Sequence, residues 1–416
     1  MESQARTVVD RCRRLATFTV EPGRTTRTFL SAPMRDCHRE ISGWVRPLGA
    51  QVRIDAVGNF RALYPGTDPQ APRLLIGSHL DTVPNAGAFD GILGVVLGTS
   101  MLELLEGEPL PFAIEVIGFS DEEGVRFGIP FIGSRALAGT IDQKLLDHKD
   151  AQGKSVRDAI QDFGLNPREI PEAGLQQEAF GYIEFHIEQG PVLEQLGLPL
   201  AAVEAIAGQS RLEVTFTGRA NHAGTTPMRM RRDALAGAAE WISAIELQAS
   251  RVTGLVATVG AVHAKPGAAN VIAGEARLSL DVRHAVDETR LAAVDSFLQS
   301  AQQIAIRRQL SVRHRIVLNQ RSTAMDSALV ACIEEAMRRA GCKPQRMVSG
   351  AGHDAMVLAE KIPTAMMFLR TPGGISHHPD EDVKIEDVEK TLEAGMHLLE
   401  VIASSSTLPK HRIQRA

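Results

Sequence analysis

Four times in this 416-residue chain, a short apolar run ends in histidines or acids. The stretches are "RLLIGSHLDT" from Arg73, "FAIEVIGFSDEEG" from Phe112, "YIEFHIEQGP" from Tyr182 and "TAMMFLRTPGGISHHPDED" from Thr364. Each apolar run has strand length, and the segments between them are longer and amphipathic, which is the rhythm of alternating strands and helices. Strands buried on both faces read as nearly continuous apolar runs. The pattern therefore predicts an α/β fold built on a mostly parallel sheet. Open sheets of that kind bind ligands beyond the carboxyl ends of their strands, and the polar residues of all four stretches stand there.

The rhythm changes near Gly208. From there the order is "RLEVTFTG" (strand), "RRDALAGAAEWISAIELQA" (helix), "GLVATVGAVHA" and "GEARLSLDVRH" (strands), "DETRLAAVDSFLQSAQQIA" (helix) and "SVRHRIVL" (strand). This is the βαββαβ order of a ferredoxin-like unit. The α/β style then returns with "DSALVACIEEAMRRAG", "TAMMFLR" and a last helix from about Ile385. The expected organisation is a discontinuous catalytic domain, 1–208 with 325–416, interrupted by an insert at 209–324.

Composition narrows the function classes. A net charge of −5 offers no basic stripe for nucleic acid. Cys12, Cys37, Cys332 and Cys342 are scattered and form no CxxC pair, which argues against a thiolate zinc site or a disulfide framework and fits a reducing cytoplasm. The charged N-terminus "MESQARTVVDRCRRLATF" lacks a signal-peptide core, and no run of ~18 apolar residues suggests a membrane span.

A single histidine after a strand, such as His79, is usually a hydrogen-bonded structural residue, and Asp90 before a helix is usually an N-cap. The recurrence changes that reading. Asp121, Glu122 and Glu123 follow the second run, His186, Glu188 and Gln189 close the third, and His377 and His378 follow the fourth. Adjacent acids beside a buried strand repel one another unless a cation compensates them. Histidines and carboxylates without thiolates suit zinc, manganese, cobalt or nickel better than magnesium. One aspartate can also bridge two ions ~3.5–4 Å apart.

In chain order, "GSHLDTV", "FDGILGV", "DEEGVRF", "HIEQGP", "GRANHAGTTPM", "DVRH" and "GISHHPDE" resemble the hydantoinase/carbamoylase branch of the aminoacylase–carboxypeptidase superfamily of di-metal hydrolases. That branch includes N-carbamoyl-L-amino-acid amidohydrolases, allantoate amidohydrolases and β-ureidopropionases. The resemblance implies two divalent ions per subunit, zinc, manganese, cobalt or nickel. Asp90 would bridge them, His79 and Glu123 would lie on different ions, and His186 and His377 would complete the pair. It further implies Glu122 as general base and Asp81 as the carboxylate that fixes the His79 tautomer. Val125 stands where the branch has serine, a departure at a position that is not an expected ligand.

For the substrate, the resemblance proposes a fork from Arg283 and a contact from Asn270 for a carboxylate, and Gln189 for the carbamoyl group. His222 is the expected oxyanion donor, and His353 and Asp354 are candidates to line the site. The expected reaction hydrolyses an N-carbamoyl-L-amino acid to the amino acid, ammonia and carbon dioxide, with allantoate or ureidopropionate as alternative substrates. Cleavage of N-acyl or peptide bonds is disfavoured by "HIEQGP", and a non-catalytic binding protein by the complete ligand set. The expected partner is a small ureido carboxylate. A homodimer is implied through the insert, with His222 reaching the partner's metals.

Overall fold

The computed structural model describes residues 1–175 and 179–404. The chain divides into two compact units, Met1–Glu204 together with the chain from Met325 onward, and Ala205–Ala324.

In chain order the strands are β1 (Gln51–Ile54), β2 (Phe60–Tyr64), β3 (Arg73–His79), β4 (Ala113–Phe119), β5 (Ala179–Ile187), β6 (Leu200–Ile206), β7 (Gly208–Thr217), β8 (Val256–Thr258), β9 (Val262–Lys265), β10 (Glu275–His284), β11 (Ser311–Gln320), β12 (Thr323–Ala324), β13 (Arg346–Ser349) and β14 (Thr364–Leu369).

In the first unit the sheet order is β1-β2-β4-β3-β5-β14-β6, with β13 also pairing with β6. Strands β4, β3, β5 and β14 run parallel to one another. The flanking strands β1, β2 and β6 pair antiparallel. The fold is thus mixed α/β with a mainly parallel centre, and the central strands are those whose sequence reads as nearly continuous apolar runs. Every residue of β4, and all but the first residues of β3 and β5, is buried. The helix Ile92–Leu104 is buried on all sides for most of its length, as its uniformly apolar sequence requires, and packs on β3 and β5.

A fully buried arginine anchors the turn after β3. Arg27 donates through Nε to the Leu80 carbonyl at 2.7 Å and through Nη1 to the carbonyls of Leu15 and Phe18, each at 2.8 Å.

The second unit is a five-stranded antiparallel sheet in the order β11-β7-β10-β8, with β9 also on β10. The helices Ala234–Ala249 and Asp287–Arg308 bury Trp241, Ile245, Phe297 and Ile304 with Val214 and Phe216 of β7. Asp233 starts the first of these helices by accepting the N–H groups of Leu235 and Ala236. The expected single strand "GLVATVGAVHA" is instead two. β8 pairs with Asp281–Arg283 and β9 with Glu275–Leu278. Gly260 lies in the break, where a residue without a side chain to pack weakens a strand. Among the described residues, no helix is long and apolar enough to cross a membrane.

Candidate metal centre

The carboxyl edge of the parallel strands gathers the chemistry. His79 ends β3, His186 lies near the end of β5, Asp121–Glu123 follow β4, and the segment holding His377 follows β14. Asp90 does not cap the helix it precedes: the N-cap is Gly91, with no side-chain capping bond. Its carboxylate turns to the histidines instead. Oδ1 faces His186 Nε2 at 3.2 Å and His79 Nε2 at 3.7 Å, while Oδ2 faces His377 Nε2 at 3.2 Å. Glu123 Oε1 is 3.5 Å from the same His377 nitrogen.

The other ring nitrogens decide what these contacts mean. His79 Nδ1 is 2.9 Å from the Asp81 carbonyl, and His186 Nδ1 is 2.9 Å from the Ile187 carbonyl. A carbonyl only accepts, so each Nδ1 carries a proton and Nε2 is the nitrogen turned to Asp90. Burial opposes a charge on either ring, yet Asp81 and Asp90 hold His79 well above its ordinary range and Asp90 holds His186 above it, so the cluster favours a positive species, a proton or a cation, between these nitrogens and the Asp90 oxygen. His186 Nε2 is also buried without a hydrogen-bond partner. The neighbouring groups His79–Asp90–His186, Asp90–Glu123–His377 and His79–Glu122–Glu123 each bring their ligand atoms within 4.8 Å of one another. Nitrogen and carboxylate donors in this number fit a divalent transition metal.

The acidic segment has the same need. Burial, and then the neighbouring charges of Glu123, Asp354 and Asp81 opposed by His79, push the Glu122 carboxyl well above its ordinary range. Burial, followed by Asp90 and Asp81 against the opposing pull of His79 and His377, raises Glu123 to about 7. For His377, the hydrogen bond with Asp90 comes first, burial opposes it, and the ring rises to about 9. Such a cluster is short of positive charge.

The environment of each remaining expected residue is specific. The Asp81 carboxylate lies 3.5 Å from His79 Nδ1, farther than Asp81's own carbonyl, and accepts the backbone N–H groups of Glu122 and Glu123. Gln189 Nε2 donates to Asp90 Oδ1 at 3.2 Å and Oδ2 at 3.0 Å. His353 is buried, bonded to Ser349 Oγ at 2.8 Å, and stacks edge-on against His186 with ring centroids 4.5 Å apart. Both oxygens of buried Asp354 lack hydrogen-bond partners. Glu188 accepts the N–H groups of Val192 and Leu193 and so serves the local turn. His378 is exposed and accepts the Asp380 N–H. Val125 is exposed. Sequence reasoning missed Glu381, whose carboxylate accepts the N–H groups of Phe89 and Asp90.

In the second unit, His222 and Asn270 come together through an isolated bridge between His222 and Val271, and the Asn270 carbonyl accepts the Ala223 N–H at 2.9 Å. His222 Nδ1 accepts the Gly224 N–H at 3.0 Å, which leaves Nε2 as the donor of the neutral ring. Arg231, also missed, donates to the carbonyls of Thr226 and Ala223 and holds that loop in shape. Arg283 is oriented by Asp281, at 2.9 Å through Nε and 3.2 Å through Nη2.

The model of peptidase family M20/M25/M40 matches residues 75–401. The chain belongs to this family. Its M20/M25/M40 membership brings metal dependence, in agreement with the ligand-competent cluster on the first unit. The chain is 38% identical over 378 residues to an N-carbamoyl-L-amino acid amidohydrolase of Geobacillus stearothermophilus, covering 90% of this chain and 92% of the relative. It is 36% identical over 412 residues to allantoate deiminase 2 of Glycine max, covering 91% and 85%. The crystal structure of a hydantoinase/carbamoylase family amidase from Burkholderia multivorans superposes with a TM-score of 0.90 at 31% identity, covering 96% of this chain and 98% of that one. The branch resemblance carried by the seven motifs is thereby borne out.

Proposed function

We propose that this enzyme hydrolyses the ureido C–N bond of an N-carbamoyl-L-amino acid, yielding the amino acid, ammonia and carbon dioxide. The observation that carries the reading is the convergence of His79, His186 and His377 on the Asp90 carboxylate beside a buried Glu122. The name of the Geobacillus relative supplies the substrate class. Allantoate stays as the second reading because the Glycine max relative matches 91% of this chain at a similar identity.

His79, Asp90 and His186 would hold one divalent ion, and Asp90, Glu123 and His377 a second, with Asp90 shared. Zinc, manganese, cobalt or nickel suits these donors. Bound divalent ions supply Lewis acidity toward the carbonyl oxygen and toward water. Glu122 accepts a proton from the attacking water and returns it to the leaving nitrogen as the C–N bond breaks. Asp81 holds the Glu122 backbone in place during that exchange. Gln189 would bind the carbamoyl group, and His222, a donor at Nε2, the developing oxyanion. Arg283, oriented by Asp281, and Asn270 would take the substrate carboxylate, while His353 braces His186 from behind.

The strand and helix order of unit Ala205–Ala324, with sheet order β11-β7-β10-β8, supports reading the insert at 209–324 as a ferredoxin-like lid and dimerisation domain within a catalytic domain of 1–208 and 325–416. The reading includes a homodimer formed through that insert, which sedimentation velocity tests. It also includes a cytoplasmic setting, consistent with four buried free cysteines. The deciding experiment is ammonia release from N-carbamoyl-L- and D-amino acids, allantoate, ureidopropionate and ureidoglycolate. Preferred turnover of N-carbamoyl-L-amino acids is the expected result. A strong preference for allantoate moves the assignment to the second reading, and turnover of acetyl-amino acids or dipeptides alone overturns both.

A further inference from the structure

One buried carboxylate ties together the segments that carry Asp90 and His377. Glu381 is 4% exposed, and its Oε1 accepts the N–H groups of Phe89 and Asp90, each at 3.0 Å. Its Oε2 lies 3.1 Å from the hydroxyl of Ser376, the residue before His377, and that hydroxyl is also 3.2 Å from Asp90 Oδ2. Glycines admit this arrangement at both ends of the Asp90 loop. A Cβ on Gly87 would fall 2.4 Å from Glu381 Cβ, and one on Gly91, at φ +69°, would fall 2.4 Å from the His79 ring. The loop is pressed between Glu381 and His79, with Asp90 held in the gap.

We infer that Glu381 is a positioning residue for cation binding, which acts with Ser376 to fix Asp90 relative to His377 and so sets the affinity of the Asp90 face for a divalent ion. The inference depends on the cation-site reading above. Glu381 itself is not a ligand, because its two oxygens are engaged by Phe89, Asp90 and Ser376. His377 needs such a tether more than the other histidines do. Its side chain is 50% exposed, and it sits at φ +56°, a backbone region that a non-glycine residue keeps only when its surroundings impose it.

The test titrates the metal-stripped full-length protein with Co²⁺ and follows visible absorption, which reports both affinity and coordination geometry. Partners that orient a metal ligand typically contribute 10–100-fold in affinity. Glu381→Ala is expected to weaken Co²⁺ binding by about that factor and to change the absorption envelope. Glu381→Gln keeps a carbonyl oxygen able to accept both N–H groups and should recover most of the loss. If Glu381→Ala does not yield folded protein, Ser376→Ala, which removes one hydroxyl, carries the test with an expected loss of severalfold. A folded Glu381→Ala or Ser376→Ala with parental affinity and spectrum overturns the inference alone, as does a Glu381→Gln no better than Glu381→Ala. A parent protein that binds no Co²⁺ overturns the cation-site reading, and the inference with it.

Discussion

The two carboxylate oxygens of Asp81 accept the backbone N–H groups of Glu122 at 2.9 Å and Glu123 at 3.2 Å. Asp81 therefore holds the segment carrying the proposed base from beneath, while its own carbonyl takes the His79 Nδ1 proton. In Asp81→Asn one N–H of that segment would face an amide that cannot accept it. A loss of about 10–100-fold in kcat is expected, with KM changed far less. Steady-state kinetics with a near-parental kcat would remove Asp81 from this role.

Glu122→Gln keeps the size and the loop of the parent side chain but cannot take up a proton. It should bind cations with parental stoichiometry and lose about 10²–10⁴-fold in kcat. Metal analysis alongside turnover separates this outcome from simple loss of the centre.

Chelation should abolish turnover, and Mn²⁺, Co²⁺, Ni²⁺ or Zn²⁺ should restore it, because the proposed reaction depends on divalent ions held by the residues around Asp90. Full activity in exhaustively stripped protein would rule out a metal-dependent reaction.

His222→Ala removes the Nε2 donor on the inserted unit and should reduce kcat by about 10²–10³-fold, the usual loss for one oxyanion donor. Its cation content should stay parental, since His222 is not among the groups around Asp90. A parental kcat would place His222 outside catalysis.

Away from the site, His38 makes stability depend on pH. Burial, reinforced by the Arg27 charge, holds its imidazole down to about 3. As pH falls through the ordinary value near 6.5, the unfolded chain binds a proton on this ring and the folded chain does not. Stability is therefore lost between those two values, by about 1.4 kcal/mol for each pH unit. His38→Leu removes this dependence. Urea unfolding at a series of pH values, with chelator present throughout, should show the parent's advantage over the variant shrinking below about pH 6.5. Parallel curves would contradict the assignment.

Much of this arrangement is legible in the sequence because the central strands are apolar for most of their length and are followed by polar residues at the same edge. The flanking strands are not legible. β6, "LAAVEAI", is rich in alanine with a single glutamate, which favours a helix locally, and tertiary pairing, with β14 and β13, makes it a strand. Glu381 escaped notice for a related reason: it reaches residues 291 and 292 positions away in the chain, and nothing local marks a carboxylate that serves distant backbone groups. Asp81 was recognised, but a side chain that prefers backbone amides to the neighbouring imidazole is a matter of packing, which spacing does not encode.

The buried guanidinium of Arg27 also sets the smallest piece of this chain that can work. The family match begins at residue 75, yet the turn just after His79 is held by an arginine 53 positions earlier, itself anchored on the carbonyls of Leu15 and Phe18. Trimming the first eighteen residues would strand a positive charge in the interior with two of its acceptors gone. Such a loss costs several kcal/mol. Trimming to residue 75 would remove the arginine as well and leave the Leu80 carbonyl buried and unmatched. The leading helix, Glu2–Ala16, is thus part of the scaffold that carries His79, and a truncated fragment that retains every proposed ligand should still fail to assemble the proposed centre.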